Sequence, residues 1–236
     1  MNSLRDRLEQ VRRRVDLAVE RAHRLPSEVQ VVAISKTVAP EVIVEAYRLG
    51  QREFGENRVQ EFHNKRAALD AAGVAARWHM VGHLQSNKAR LAVELFDIIQ
   101  SVGSLKLAQL LDRLGEESGG KVPVLLEVKF SSSLERSGFK PDELDAAAAD
   151  LVALSNLEIQ GFMTVAPLGL DADGSRGVFR MLRAQRDRLA ARYSGVEWRH
   201  LSMGMSDDFE PAIEEGATIV RIGRAIFGER PRFQAE

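Results

Sequence analysis

The chain contains no cysteine among its 236 residues. Disulfide bonds, thiolate catalysis and metal sites built on cysteine are therefore excluded. A basic segment followed by an apolar core is missing at the start, and no apolar run approaches the length that crosses a bilayer. These absences predict a cytoplasmic protein that does not enter a membrane.

An excess of charge of one sign is also lacking, since 33 lysines and arginines accompany 34 acidic residues and the net charge is −1. A surface devoted to nucleic acid would need a basic excess, so nucleic acid is not expected as a partner. No stretch rich in proline, serine or glycine divides the chain, and hydrophobic residues make up 44% of it. We therefore expect one domain over residues 1–236 with a full core.

From residue 28 onward, short apolar segments, polar loops and amphipathic segments follow one another. The predicted strands are 29–35, 53–55, 77–81, 97–101, 122–128, 157–163, 198–201 and 217–222. The predicted helices are 40–49, 59–72, 88–95, 105–117, 141–154, 175–192 and 209–215, with a last turn at 225–227. An earlier helix, capped by Ser3, precedes the first strand. Its arginines alternate with acidic residues, which predicts a solvated face.

Eight strands that alternate with helices predict an α/β fold, a single parallel (β/α)₈ barrel of the TIM type with an extra N-terminal helix. A doubly wound sheet is the alternative. Such a sheet would normally carry a GxGxxG loop after its first strand, and this sequence has none there. In a barrel, the functional residues lie at the ends of the strands.

Lys36 is the first candidate, because it comes directly after the apolar run 31–34. A lysine at the mouth of a strand-to-helix unit can lose its proton when it is buried, and a neutral amine forms a Schiff base with a carbonyl compound. The simpler interpretation is a surface lysine on a loop between strand and helix. Position alone does not separate the two.

The loops after the seventh and eighth predicted strands have the composition of a phosphate site. Ser202, Ser206 and the backbone around Gly204 precede a helix, and Gly223 allows close approach of the backbone. Arg221 lies two residues before Gly223, so both should face the barrel interior. Alternatively, the serine-rich loop is only a helix cap, and Arg221 is only paired with a buried acid.

A lysine, an arginine and a phosphate loop at one mouth match a pyridoxal phosphate site, in which the arginine faces the ring nitrogen. A lysine aldolase that acts on a sugar phosphate would need similar residues, and the pattern alone separates the two poorly. Metal is not expected, because His79 and His83 span a strand end without a carboxylate at the spacing of a metal-binding helix.

Six motifs in order give the chain a resemblance to the pyridoxal phosphate homeostasis protein family, whose fold is similar to the barrel domain of bacterial alanine racemase. The motifs are AISKT at 33–37, FGENRVQE at 54–61, WHMVGHLQSNK at 78–88, GFMTVAP at 161–167, LSMGMSDDFEPAIEEGAT at 201–218 and VRIGRAIFG at 220–228. The resemblance runs over about residues 3–230.

This resemblance implies roles for individual residues. Lys36 would hold pyridoxal 5′-phosphate as an internal aldimine, and Arg221 would face the pyridine nitrogen. The other implied residues are Asn57, Met163 and His83 at the cofactor pocket, and Ser202, the backbone near Met203, Gly223 and Arg224 at the phosphate. Three positions depart from the family pattern: Val38, Glu127 and Arg136. They weaken any case for a secondary lysine site, but not for Lys36.

The resemblance further implies that the protein stores, carries or delivers the cofactor without robust catalysis, with apo-enzymes that use it as partners. The alternative is an amino-acid racemase on the same barrel. A racemase of that type needs a catalytic tyrosine from a partner's second domain, and the two tyrosines, Tyr47 and Tyr193, fall in predicted helices. The chain ends soon after the eighth strand, so we also expect a monomer.

Overall fold

The computed structural model describes residues 3–130, 137–167 and 169–229, so Arg136 lies outside it. Within these residues, eight parallel strands close into a barrel in chain order. The strands are Gln30–Ile34 (β1), Glu53–Glu56 (β2), Arg77–Met80 (β3), Ile98–Val102 (β4), Val122–Glu127 (β5), Leu157–Met163 (β6), His200–Ser202 (β7) and Ile219–Ile222 (β8). Val31 of β1 lies opposite Val220 of β8, which completes the barrel. The predicted (β/α)₈ barrel is confirmed, and its extent as one domain over 1–236 stays a prediction.

The strands are buried on both faces, because helices cover the outside of the barrel. A small apolar cluster fills part of the interior: Val32, Ile34, Ile98, Leu125, Met163 and Ile219. Outward-facing residues such as Phe54 and Phe162 belong to the larger cluster beneath the helices. Burial on both faces explains why these strands show continuous apolar runs in the sequence rather than alternation.

The helices form the outer layer. They are Leu4–Arg21 (α1), Pro40–Arg48 (α2), Val59–Ala71 (α3), Ala89–Leu95 (α4), Leu105–Ser118 (α5), Pro141–Val152 (α6), Ala172–Arg192 (α7), Phe209–Glu214 (α8) and Arg224–Phe227 (α9). Aromatic rings join helices to strands, as where Trp78 of β3 lies 4.4 Å from Phe62 of α3 between ring centroids. Such pairs add about 0.5–1.5 kcal/mol to the free energy gained by burial.

Helix α1 is an addition to the barrel and begins with a capping box. The Ser3 hydroxyl accepts the Asp6 N–H, and the Asp6 carboxylate accepts the Ser3 N–H. Arg14 forms a bidentate pair with Glu210 of α8 at 2.8 and 2.7 Å, and Arg7 donates to the Ile226 carbonyl at 2.6 Å. The predicted solvated face is therefore partly wrong, because these arginines hold α1 against α8 and α9.

The C-terminal end of each strand lies within one residue of its predicted position. Larger differences occur elsewhere. Helix α7 begins at Ala172, three residues before the prediction, because the Asp171 carboxylate caps it by accepting the Gly174 N–H at 2.8 Å. Strand β7 begins only at His200, because Trp198 is held in a turn by a bond from its N–H to the Val196 carbonyl.

All eight strands run in the same direction, so their C-terminal ends meet at one mouth of the barrel. The loops that carry Lys36, Asn57, His83 and Ser206, and the segment at Gly223, therefore lie at the same end. None of the helices in the described ranges is long and apolar enough to cross a membrane.

Candidate functional site

Lys36 lies in a tight turn after β1. Ser35 extends the pairing of β1 with β2, since its N–H donates to the Gly55 carbonyl at 2.9 Å. Thr37 has a φ of 61°, a left-handed conformation that is uncommon for a β-branched residue. The Val38 N–H then donates back to the Ser35 carbonyl at 3.0 Å. Lys36 is half-buried between these fixed neighbours.

A buried lysine on α3 holds this turn from behind. The ammonium of Lys65 donates to the Ser35 carbonyl at 3.0 Å, to Glu56 at 3.1 Å and to Glu61 at 2.7 Å. Glu61 also accepts the Thr37 N–H, and Glu56 accepts the Ser35 hydroxyl at 2.8 Å. We call Ser35, Glu56, Glu61 and Lys65 the Lys65 cluster. It binds the residues on both sides of Lys36.

The two carboxyls of the Lys65 cluster differ in their electrostatics. Burial raises the pKa of Glu56, although Lys65 and the Ser35 hydroxyl oppose the rise. Partial burial also favours the neutral form of Glu61, but hydrogen bonds from Lys65 and the Thr37 N–H outweigh it and lower the pKa of that carboxyl. The charge of Lys65 favours the ionised form of both carboxyls.

Lys36 opens into a cavity of about 560 Å³ at the ends of β1, β7 and β8, a volume typical of small-ligand sites. We call it the Lys36 cavity. Its lining residues are Ile34, Lys36, Met205, Ser206, Asp207, Arg221, Gly223, Arg224, Gly228 and Glu229. The structure therefore brings together four of the predicted site residues: Lys36, Arg221, Gly223 and Arg224.

Two contacts join the β7 and β8 loops at this cavity. The Ser206 hydroxyl accepts the Ala225 N–H at 3.2 Å, and Arg224 forms an ion pair with Asp207. Gly204 permits the β7 loop to fold this way, because its φ is 92° and a Cβ there would lie 2.6 Å from the Ala212 Cβ. The loop therefore presents Ser206, rather than Gly204, to the cavity.

Arg221 is 4% exposed and reaches the Lys36 cavity from inside the barrel. Its guanidinium donates to the Ser202 hydroxyl and to the Thr164 carbonyl, both at 2.7 Å. Burial lowers the pKa of Arg221 to about 10, although the charges of Asp208 and Glu127 oppose the shift. The arginine stays protonated at neutral pH. The sequence did not identify these two acids as the charges near Arg221.

Asn57 and His83 line a second cavity, of about 530 Å³, at the ends of β2 and β3. The loops that carry them approach closely because residue 82 is glycine. A Cβ at Gly82 would lie 2.3 Å from the Asn57 carbonyl oxygen, which is too close for any other residue. His83 is exposed and Asn57 half-buried. The structure places this pair beside the Lys36 cavity along the barrel rim, not within its lining.

Three predicted site residues lie away from both cavities. Met163 belongs to the apolar interior, and Met203 is buried in the outer core with its N–H bonded to the Ile219 carbonyl at 3.1 Å. The Ser202 hydroxyl donates to Gln100 at 2.6 Å and accepts from Arg221. Neither the Ser202 hydroxyl nor the Met203 N–H is directed to the cavity, so their roles stay predictions.

Sequence reasoning missed the Lys65 cluster, although one signal for it existed. Lys65 occupies the buried face of α3 with Val59, Phe62 and Leu69, at helical spacing. A lysine in an apolar stripe has to find a buried acceptor. The acceptors are supplied by other elements, so the pairing became visible only in the fold.

Lys65→Met is expected to lower the free energy of unfolding by about 3 kcal/mol, because it leaves the buried carboxyl of Glu56 and the Ser35 carbonyl without their donor. Adding Glu56→Gln should recover part of the loss, since a neutral amide needs no counter-charge.

Arg66→Met on the same helix is the matched control. Its pair with Asp70 is exposed and should be worth about 0.5 kcal/mol or less. Urea unfolding measures all four proteins. A loss for Lys65→Met no greater than the control's would contradict this role of the cluster.

Comparison with known proteins places this site in a family context. Residues 7–231 match the family model described as alanine racemase, N-terminal domain. The pyridoxal phosphate homeostasis protein of Aquifex aeolicus is 40% identical over 225 residues, covering 95% of this chain and 97% of the relative. That of Vibrio cholerae is 39% identical over 235 residues, covering 98% of each.

Solved structures of similar fold include PipY and an alanine racemase. PipY of Synechococcus elongatus, with pyridoxal phosphate bound, is 41% identical with a TM-score of 0.86, covering 96% of this chain and all of that one. An alanine racemase of Clostridium difficile is 17% identical with a TM-score of 0.67, covering 93% of this chain and 60% of its own, which is a likeness of fold alone. The chain belongs to the alanine racemase N-terminal domain family and, within it, to the pyridoxal phosphate homeostasis proteins.

Proposed function

We propose that this protein binds pyridoxal 5′-phosphate on Lys36 and stores and delivers it, without robust catalysis of its own. One observation carries the proposal: an amine, a guanidinium and a serine hydroxyl share one cavity of small-ligand size. The names of the curated relatives and the cofactor bound to PipY support the same ligand. The residues present therefore fit the group chemically.

Lys36 would supply the covalent bond. Its amine would hold the cofactor through a C=N bond to the aldehyde carbon, formed with release of one water. The reaction needs the amine held at a fixed place, and the Lys65 cluster fixes the backbone on either side of it. The bond is reversible by hydrolysis, which suits a protein that has to give its ligand away.

The phosphate would lie between the β7 loop and the start of α9. The Ser206 hydroxyl already accepts a backbone N–H and still has its own proton to donate. The backbone of Gly223 and Arg224 lines the same part of the cavity. The composition of the loop predicted Ser202 and Ser206 for this role, and the family resemblance implied Ser202. We propose Ser206 instead, because the Ser202 hydroxyl is turned into the barrel, where Gln100 accepts its proton.

Arg221 would face the pyridine nitrogen of the ring. A guanidinium has donors and no acceptor, so it can donate to an unprotonated nitrogen but opposes protonation there. The cofactor with an unprotonated ring is a weaker sink for electrons. Arg221 therefore favours holding the ligand over using it for carbanion chemistry.

Asn57 and His83, in the neighbouring cavity, and Met163, below the mouth, are proposed to border the ring side of the ligand. The racemase alternative finds no support at this mouth. Tyr47 lies in α2 and Tyr193 ends α7, and neither lines a cavity formed by the described strand ends. The expectations of a monomer and of a cytoplasmic location stay predictions.

Lys36→Ala should abolish the visible absorbance band that forms when pyridoxal phosphate is added, because the Schiff base has no amine to form on. Reduction with borohydride should make the bond permanent in the wild type, so that denaturation releases none of the cofactor. Lys129→Ala is the control, because it removes another lysine at the same mouth, just after β5. This variant should keep the band. The proposal fails if the wild type forms no band, or if Lys36→Ala keeps it.

Ser206→Ala should weaken the affinity for pyridoxal phosphate by about tenfold, the value of one charge-assisted hydrogen bond. The affinity for pyridoxal, which has no phosphate, should hardly change. Spectroscopic titration with both ligands measures the difference, with Ser86→Ala, an exposed serine in the segment after β3, as control. If Ser202→Ala shows the phosphate-specific loss and Ser206→Ala does not, Ser202 holds the phosphate.

Delivery to apo-enzymes can be tested by competition. Loaded protein is mixed with an apo-enzyme that needs pyridoxal phosphate, in the presence of a phosphatase that destroys the free cofactor. Direct transfer predicts that enzyme activity appears at the same rate with and without phosphatase, whereas borohydride-reduced protein gives none. If the phosphatase abolishes activation, the protein is a store that releases its ligand into solution.

A further inference from the structure

An unbroken series of hydrogen bonds crosses the barrel interior and ends at Arg221. Arg221 donates to the Ser202 hydroxyl at 2.7 Å, and the Ser202 hydroxyl donates to Oε1 of the Gln100 side chain at 2.6 Å. The Gln100 amide nitrogen lies 2.7 Å from Nδ1 of His79, whose Nε2 lies 2.7 Å from the Glu53 carboxylate. The series joins β8, β7, β4, β3 and β2. The function proposed above uses only its last member.

The partners fix the direction of every bond in this interior chain. A guanidinium only donates, so the Ser202 oxygen accepts from Arg221 and its proton goes to Gln100. The amide nitrogen of Gln100 must then donate to Nδ1 of His79, which leaves the ring proton on Nε2 facing Glu53. A cation thus lies at one end and a carboxylate at the other, with each group between them acting as acceptor and donor.

The middle of the chain is closed to water. Gln100 and Ser202 are fully buried, and His79 is 1% exposed. Burial lowers the pKa of His79, although the Glu53 hydrogen bond opposes the shift. Because the Gln100 side-chain amide donates to Nδ1, the ring has to be neutral, and the lowered pKa favours the same form. Glu53 is less buried, with 22% of its side chain exposed, so the carboxylate keeps contact with solvent at the far end.

We propose that Gln100, His79 and Glu53 are positioning residues for Arg221, and through it for the ring of the bound cofactor. This inference rests on the proposed binding of pyridoxal phosphate. The Thr164 carbonyl holds one terminal nitrogen of Arg221, and the interior chain holds the other. Loss of Gln100 would leave the Ser202 hydroxyl without its acceptor, so the guanidinium would lose an acceptor of fixed direction. Loss of His79 or Glu53 would remove the groups that orient the Gln100 side-chain amide.

A purely structural polar core would also be destabilised by such changes, so the test needs readouts at the ligand. Gln100→Met conserves volume and removes both bonds of the amide. Gln185→Met is the matched control, because Gln185 is 2% exposed on α7 and bonds through both amide ends to Asp145 and Arg188. It lies in the outer layer, away from Arg221.

The measurements are the dissociation constant for pyridoxal phosphate, the absorption maximum of the Schiff-base band and the stability of the free protein. Gln100→Met is expected to weaken affinity about tenfold, as for one hydrogen bond to a charged group, and to shift the band. Gln185→Met should lose stability while both ligand readouts stay within about twofold of the wild type, since it breaks bonds of the same kind elsewhere.

Glu53→Ala tests the same inference from the exposed end of the chain, where folding is at less risk. Its control is Glu158→Ala at the corresponding end of β6. Glu53→Ala should shift affinity and band in the direction of Gln100→Met, and it decides the question alone if Gln100→Met does not fold. Unchanged affinity and absorption in a folded variant would overturn the inference. Absence of the band in the wild type would instead overturn the proposed function.

Discussion

The turn that carries Lys36 depends on one buried ammonium, that of Lys65. A left-handed threonine after a strand end is a strained arrangement, and it persists only when its surroundings hold it. Lys65 and Glu61 do so by binding the Ser35 carbonyl and the Thr37 N–H. The Lys65 cluster lies behind the turn. The Lys36 side chain can therefore bind and release a ligand without disturbing the hydrogen bonds that hold the turn.

The mouth of the barrel combines Lys36, whose turn is held by α3, with the guanidinium of Arg221, which is held from the barrel interior. Arg221 extends from the barrel interior and donates to Thr164 and Ser202, whereas the residues proposed to hold the phosphate belong to loops at the rim. In the proposed arrangement a ligand would be held at its aldehyde, ring nitrogen and phosphate, and its ring would be a weak sink for electrons. That balance would suit storage and release.

Much of this was visible in the sequence. The C-terminal ends of the strands were predicted to within one residue, and this placed Lys36 and Arg221 correctly on the barrel. The choice between Ser202 and Ser206 was not accessible, since it depends on how the loop turns at Gly204. The partners of Lys65 and the path from Arg221 to Glu53 were also hidden, because they join residues from different strands and helices across the fold.

The most direct measurement is to locate the covalent label. The protein is loaded with pyridoxal phosphate, reduced with borohydride, digested and analysed by mass spectrometry. Lys36 and Lys65 lie near each other in the fold, so the label must be assigned between these two lysines. The account predicts one modified lysine, Lys36, with Lys65 unmodified because Glu56, Glu61 and the Ser35 carbonyl hold its ammonium. Label on Lys65, or spread over surface lysines with Lys36 unmodified, would contradict it.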